Sequence, residues 1–130
     1  MAQFQPTQNR KAILERLPDY KVEIRETSRP ITITCHNRLI AESSNPLLIL
    51  ETRHDPVYYL PRKDVRMDLL SPTDLRTYCP FKGYATYWSL LTDGISEDNL
   101  VWSYPDPCEE VTGIKDFLAF YADRTELNVV

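Results

Sequence analysis

Strand-type alternation, cut into short lengths by prolines and turn dipeptides, is the feature that most limits what this chain can become. From Lys21 onward Val22 and Ile24 alternate with charged residues, and Ile31 and Ile33 alternate with Thr32 and Thr34. A period of two places such residues on one face of a strand. Ten prolines favour short elements over long helices. His36-Asn37 reads as a tight hairpin turn between residues 31–35 and 38–42, because Asn37 tolerates the positive φ such a turn requires. Asn45-Pro46 breaks the chain before a strand at 47–51, and Pro56 and Pro61 bound another at 57–60.

Two longer strands are expected at 84–91 and 99–104, adjacent and antiparallel. The first would place Tyr84, Thr86, Trp88 and Leu90 on one face, and the second Leu100, Trp102 and Tyr104, with both tryptophans in one aromatic cluster. Asp93-Gly94, with Ser96-Glu97-Asp98, suggests a connecting loop longer than the minimum. The last strands fall at 117–121 and 127–130. Helix is expected in short pieces only. Asn9 can cap a short helix in which Ile13 and Leu17 stack and Pro18 ends it, which predicts a helical arm over 1–20 and a single domain over 21–130. Residues 63–70 suit two helical turns with Val65 and Leu69 inward, and Ser71-Pro72-Thr73-Asp74 reads as another helix start. At 130 residues the chain can bury a core without a metal or a disulfide.

Several function classes drop out. Three glycines, with no G-x-G-x-x-G, P-loop or G-x-S-x-G, exclude a glycine-built phosphate loop. A net charge of −4 and a pI near 5.1 give no footprint for duplex nucleic acid or an anionic membrane surface. The polar start MAQFQPTQNRK lacks a signal-peptide core, and the aliphatic run at 47–50 is far too short to span a bilayer, so a cytoplasmic protein is expected. Cys35, Cys79 and Cys108 are scattered without a C-x-x-C, and His36 would point to the opposite strand face from Cys35. No metal site and no cofactor is expected.

Functional groups concentrate between Tyr58 and Trp88. Cys79, followed by Pro80 and by Lys82 three residues on, is a candidate nucleophile, because a nearby cation favours thiolate; a buried, inert thiol is the alternative. Arg62 and Arg66, four apart on a helical turn, could grip a carboxylate or phosphate, or else pair internally with Asp64, Asp68 or Glu51. Asp64 and Asp68 could serve as acid and base, or as a solvated or capped pair. Tyr59, Phe81, Trp88, Trp102 and Tyr104 could wall an aromatic pocket or fill the core.

The segments P-R-x-D-V at 61–65, C-P-x-K-G-x-A-x-Y-W at 79–88 and W-x-Y-P at 102–105, in that order, resemble the domain of unknown function 427 family, which also carries a nucleotidyltransferase-like name. The resemblance runs from about Lys21 to the C-terminus. It implies a mainly β fold, a compact β-tent of two antiparallel sheets. Its pattern falls on Glu51, Tyr59, Pro61, Arg62, Asp64, Cys79, Pro80, Lys82, Gly83, Tyr87, Trp88, Asn99, Trp102 and Tyr104. His36-Asn37 stands where the family commonly has Asn-Gly. The paired C-x-x-C ligands of zinc-binding β-tents are absent, so their metal chemistry does not transfer. Nucleotidyl transfer would call for clustered carboxylates holding Mg²⁺, and the chain has no D-x-D. The leading expectation is a cleft for a small anionic or aromatic ligand, anchored by Arg62 and Lys82, with Cys79 as the reactive group. A non-catalytic peptide- or protein-binding module is the alternative, and nucleotidyl transfer the third reading.

Overall fold

The computed structural model describes residues 6–130, with side chains from Arg10 onward. The alternation is realised as ten strands among the described residues, in two antiparallel sheets, as the resemblance implied. In the larger sheet β1 (Val22–Glu26), β4 (Leu47–Glu51), β5 (Val57–Leu60), β9 (Leu118–Phe120), β8 (Ile95–Ser103), β7 (Gly83–Thr92) and β6 (Leu70–Cys79) lie side by side in that order. The smaller sheet runs β10 (Glu126–Val129), β2 (Ile31–Cys35), β3 (Arg38–Ser43).

The inward residues of β2 and β3, Ile31, Ile33, Cys35, Ile40 and Ala41, pack on Leu60, Leu90, Leu100, Val101, Leu118 and Phe120 of the larger sheet. Each large aliphatic side chain buried this way contributes about 1.5–3 kcal/mol. His36 and Asn37 hold φ of 51° and 63° in the two-residue turn that pairs Cys35 with Arg38, as expected.

The segment after β5 clips the sheets together, and it is not the helix expected over 63–70. Two 3-10 turns, Arg62–Asp64 and Met67–Leu69, flank an extended Val65 (φ −112°, ψ 136°) that bridges to Ala41. The Arg66 amide donates to the Ile40 carbonyl at 2.9 Å, and the Ser43 hydroxyl donates to Asp64 at 2.6 Å. Val65 and Leu69 do point inward. β3 supplies backbone partners that outcompete the i→i−4 bonds of a short helix.

Ser71-Pro72-Thr73-Asp74 starts no helix either. It lies within β6, where Ser71 and Pro72 pair with Ser89 and Trp88. β6 is an edge strand, so the missing N–H of Pro72 is tolerated. Beyond it Thr73, Asp74 and Leu75 bulge opposite the single residue Tyr87. A matching bulge in β8 sets Asp98, Asn99 and Leu100 opposite Ser89, with Asn99 at φ 49° and its amide on the Ser89 hydroxyl at 3.0 Å. The Thr73 hydroxyl donates to the Asn99 side-chain oxygen at 2.6 Å and ties the two bulges together.

The β8 bulge interrupts the alternation at Leu100. Leu100 and Val101 both reach the inter-sheet core, while Trp102 and Tyr104 take the opposite face. Leu100, Trp102 and Tyr104 therefore do not share a face. The expected strands are adjacent and antiparallel, but Trp88 opposes Val101 and Tyr87 opposes Trp102, so the two tryptophans lie on opposite sides of the sheet. The β7–β8 turn is also shorter than expected, with Thr92 pairing Ile95 directly across Asp93 and Gly94 (φ 76°).

At the start of the chain, α1 (Pro6–Arg16) begins before Asn9, which is thus inside the helix and not its cap. Proline at a first helical position lacks only an N–H that would go unused there. Arg10 ties the helix to Glu110 at 2.6 Å. Among the described residues, no helix is long and apolar enough to cross a membrane.

Leu118 is wholly buried in the inter-sheet core. Leu118→Ala is expected to cost about 2–5 kcal/mol in urea unfolding. Leu91→Ala, at a position 61% exposed, should stay within about 0.5 kcal/mol of the parent.

Candidate functional site

The far face of the larger sheet carries a second cluster, Ile49, Tyr59, Ala85, Tyr87, Tyr104 and Ala119, covered by Val111 and Ile114 of the 3-10 segment Glu109–Ile114. On this face a cavity of about 420 Å³ is lined by Glu51 and Lys82, by the aromatic rings of Tyr59, Tyr87, Trp102, Tyr104 and Tyr121, and by His54, Asp55 and Val57.

The β6–β7 turn delivers Lys82. Its amide bonds the Cys79 carbonyl at 3.1 Å, and its carbonyl accepts from the Cys108 amide at 2.9 Å. Gly83 follows at φ 115°, a conformation that favours glycine, and a Cβ there would stand a tight 3.2 Å from the Asp106 carbonyl oxygen. Phe81, in the same turn, stacks on Tyr20 with ring centroids 3.7 Å apart.

The Lys82 ammonium pairs with one oxygen of Glu51, at the end of β4, and the Tyr20 hydroxyl donates to the other. Both members of the ion pair are nearly sequestered, with Glu51 8% and Lys82 11% exposed at the side chain. His54 Nε2 lies 3.8 Å from the same carboxylate. The ammonium also sits 5.9 Å from the centroid of the Tyr104 ring, within cation–π range. Trp102 Nε1 donates to the Tyr59 hydroxyl at 3.2 Å, with the two rings edge to face, and Trp102 meets Tyr121 at 4.8 Å between centroids. Burial raises Tyr59 and Tyr104 well above the usual phenol range, and Tyr20 is raised by burial and then by its bond to Glu51. The arrangement offers neutral phenols, one internally compensated ion pair and aromatic walls.

Of the residues singled out in the sequence, Glu51, Tyr59, Lys82, Trp102 and Tyr104 gather here. Cys79 sits at the head of the Lys82 turn, half-buried and packed into the second cluster. The cations expected to activate it do not converge, since Lys82 is committed to Glu51 and Arg62 lies over Trp88 on the other face, 5.5 Å from the ring centroid. Arg62 and Trp88 line a separate cavity of about 240 Å³. Arg66 is exposed and paired with Asp68 at 2.8 Å, so the internal pairing considered for it is the one observed. Arg62 and Arg66 also do not share a helix. Asp64 holds Ser43, and Asn99 holds the bulge. Sequence reasoning missed Tyr20, His54 and Tyr121. Tyr20 and His54 lie in connections with no periodicity to point them anywhere, and Tyr121, expected to end a strand over 117–121, lies just past β9; the fold brings them to Glu51 or Trp102.

Cys35 and His36 do not diverge. The positive φ of His36 removes it from the strand's alternation, and donor atoms of Cys35, His36 and Glu97 lie within 4.8 Å of one another. Each already has a protein partner: Cys35 Sγ the Arg124 carbonyl at 3.4 Å, His36 the Glu97 carboxylate at 2.8 Å, and Glu97 also Arg124 at 2.9 Å.

Fold and site together define a mainly β protein of two antiparallel sheets with an aromatic, ion-paired cavity on the outer face of the larger one. The chain belongs to the family described as Domain of unknown function (DUF427), whose model, carrying a nucleotidyltransferase name, matches residues 23–130. No curated protein matches the chain.

Lys82→Met strands a buried carboxylate and is expected to destabilise by about 3–5 kcal/mol. The double variant Glu51→Gln/Lys82→Met should recover most of that loss in urea melts. The buried phenols give a second expectation. Folding favours their neutral form, so their contribution is intact below the unfolded tyrosine pKa of about 10 and is lost as pH rises beyond it. Phenolate absorbance should show Tyr59 and Tyr104 ionising only together with alkaline unfolding.

Proposed function

We propose that the protein binds a small, flat, uncharged aromatic molecule in the cavity beside Glu51 and Lys82. One observation carries this reading: a nearly buried carboxylate–ammonium pair opens onto a space walled by tyrosines and a tryptophan. Its volume falls within the range of about 300–1,000 Å³ typical of small-molecule sites, which are mostly apolar with a few fixed polar anchors. Lys82 and Glu51 offer a donor and an acceptor side by side, suited to a ring edge carrying both. The ammonium charge is compensated by Glu51, and Asp55 adds a further carboxylate to the lining, so the cavity does not favour an anion. The same pairing favours binding over nucleotidyl transfer, because Glu51 is engaged by a protein cation. Cys79, packed into the second cluster, is structural in this reading. Three cysteines free of disulfides accord with a reducing, cytosolic setting.

The test uses a Trp88→Phe variant, in which Trp102 is the sole tryptophan. Titration with nicotinamide and with adenine should quench its fluorescence saturably for at least one probe. Glu51→Gln/Lys82→Met added to that background should abolish saturation. Linear, non-saturating quenching by both probes up to millimolar concentration would overturn the proposal and give the lead to a protein-binding role.

A further inference from the structure

We infer a second binding site, for an oxyanion, on the inter-sheet face of the larger sheet, at the cavity lined by Arg62, Arg76, Trp88 and Ser103. Ser103 is 1% exposed, and its hydroxyl has no hydrogen-bond partner among the described residues. A buried hydroxyl without a partner is uncommon and calls for a ligand or a compensating group. Ser103 pairs with Thr86 across the β7–β8 ladder, and Val101 with Trp88, so the Ser103 side chain stands on the face that carries Thr86 and Trp88. That face borders the cavity of about 240 Å³.

Two cations stand around it. The Arg62 guanidinium lies over the Trp88 ring, and Arg76 is held at the β6 bulge by bonds from Nη1 to the carbonyls of Thr73 (3.0 Å) and Leu75 (2.7 Å). Among the described residues neither forms an ion pair with a carboxylate, although Asp116 lies on the cavity's lining. Elsewhere Arg10, Arg25, Arg38, Arg66 and Arg124 each have one, and Arg16, Arg29 and Arg53, like this pair, have none with a side-chain carboxylate. Stacking orients a guanidinium by its flat face and leaves its N–H edge to a ligand, which suits a carboxylate or a phosphate. The space holds a small oxyanion or the acidic group of a larger molecule, with Ser103 as a neutral donor at its floor.

The test is nuclear magnetic resonance of the wild-type protein, whose two indole N–H signals are assigned with Trp88→Phe. Inorganic phosphate and acetate are titrated separately, with sodium chloride at matched ionic strength as control. The Trp88 signal should move saturably with at least one of them while the Trp102 signal stays fixed. Response to phosphate alone identifies a phosphoryl site, and response to acetate a carboxylate site. Arg62→Met and Arg76→Met should each weaken the response about tenfold or more, in line with charge-assisted bonds. Ser103→Ala should weaken it too while leaving thermal stability equal or higher, since it removes an unpartnered buried hydroxyl. A response equal to that of chloride, one confined to Trp102, or one unchanged in Arg62→Met would overturn the inference. The aromatic-ligand cavity is on the opposite face and reports through Trp102, so the two proposals fail separately.

Discussion

Everything in this molecule hangs on a three-residue strand buried on both sides. Leu118, Ala119 and Phe120 of β9 are each at most 5% exposed, and they alternate between two apolar clusters. Leu118 and Phe120 join the smaller sheet's isoleucines, and Ala119 lies under Tyr59 and Trp102, with which it is in register. A small residue at 119 lets the aromatic rings of the neighbouring strands settle over the sheet. The strand thus divides a face that holds the fold together from a face that is free to carry a cavity.

The two paired bulges make that division consequential. Trp102 and Tyr104 take the outer face because the register sets Trp102 against Tyr87, while the β8 bulge turns Leu100 inward beside Val101. The Thr73–Asn99 bond ties both bulges together across β7, while the register keeps Trp88 apart from Trp102. The tryptophans report on two different environments.

The Glu51–Lys82 pair is a second element that stability alone does not explain. Desolvating both charges offsets much of their attraction, and an apolar pair of equal volume would often serve as well. Tyr20, stacked on Phe81 and bonded to Glu51, encloses the pair from the β1 side and links the segment before β1 to the β6–β7 turn. A costly buried pair at the mouth of an aromatic cavity fits a site that needs a donor and an acceptor fixed in place.

The sequence by itself determined what depends on neighbours along the chain. The strand at 57–60, the 31–35 strand with its His36-Asn37 turn and the edges at proline follow from local period and backbone preference. The family motifs likewise carried the antiparallel two-sheet class and most of the residues around Glu51. Tertiary structure decided the rest. Helix signals at 63–70 and 71–74 were locally sound, but β3 and β7 offered backbone partners that a chain segment read alone cannot count. Which face a side chain takes depends on register, and with Trp88 opposite Val101 and Tyr87 opposite Trp102 the two tryptophans separate. Arg62, in the 3-10 turn after β5, is carried over Trp88 and so parts from Lys82. Tyr20 reaches Glu51 across 31 residues because distance in space, not along the chain, sets electrostatic and hydrogen-bond energies.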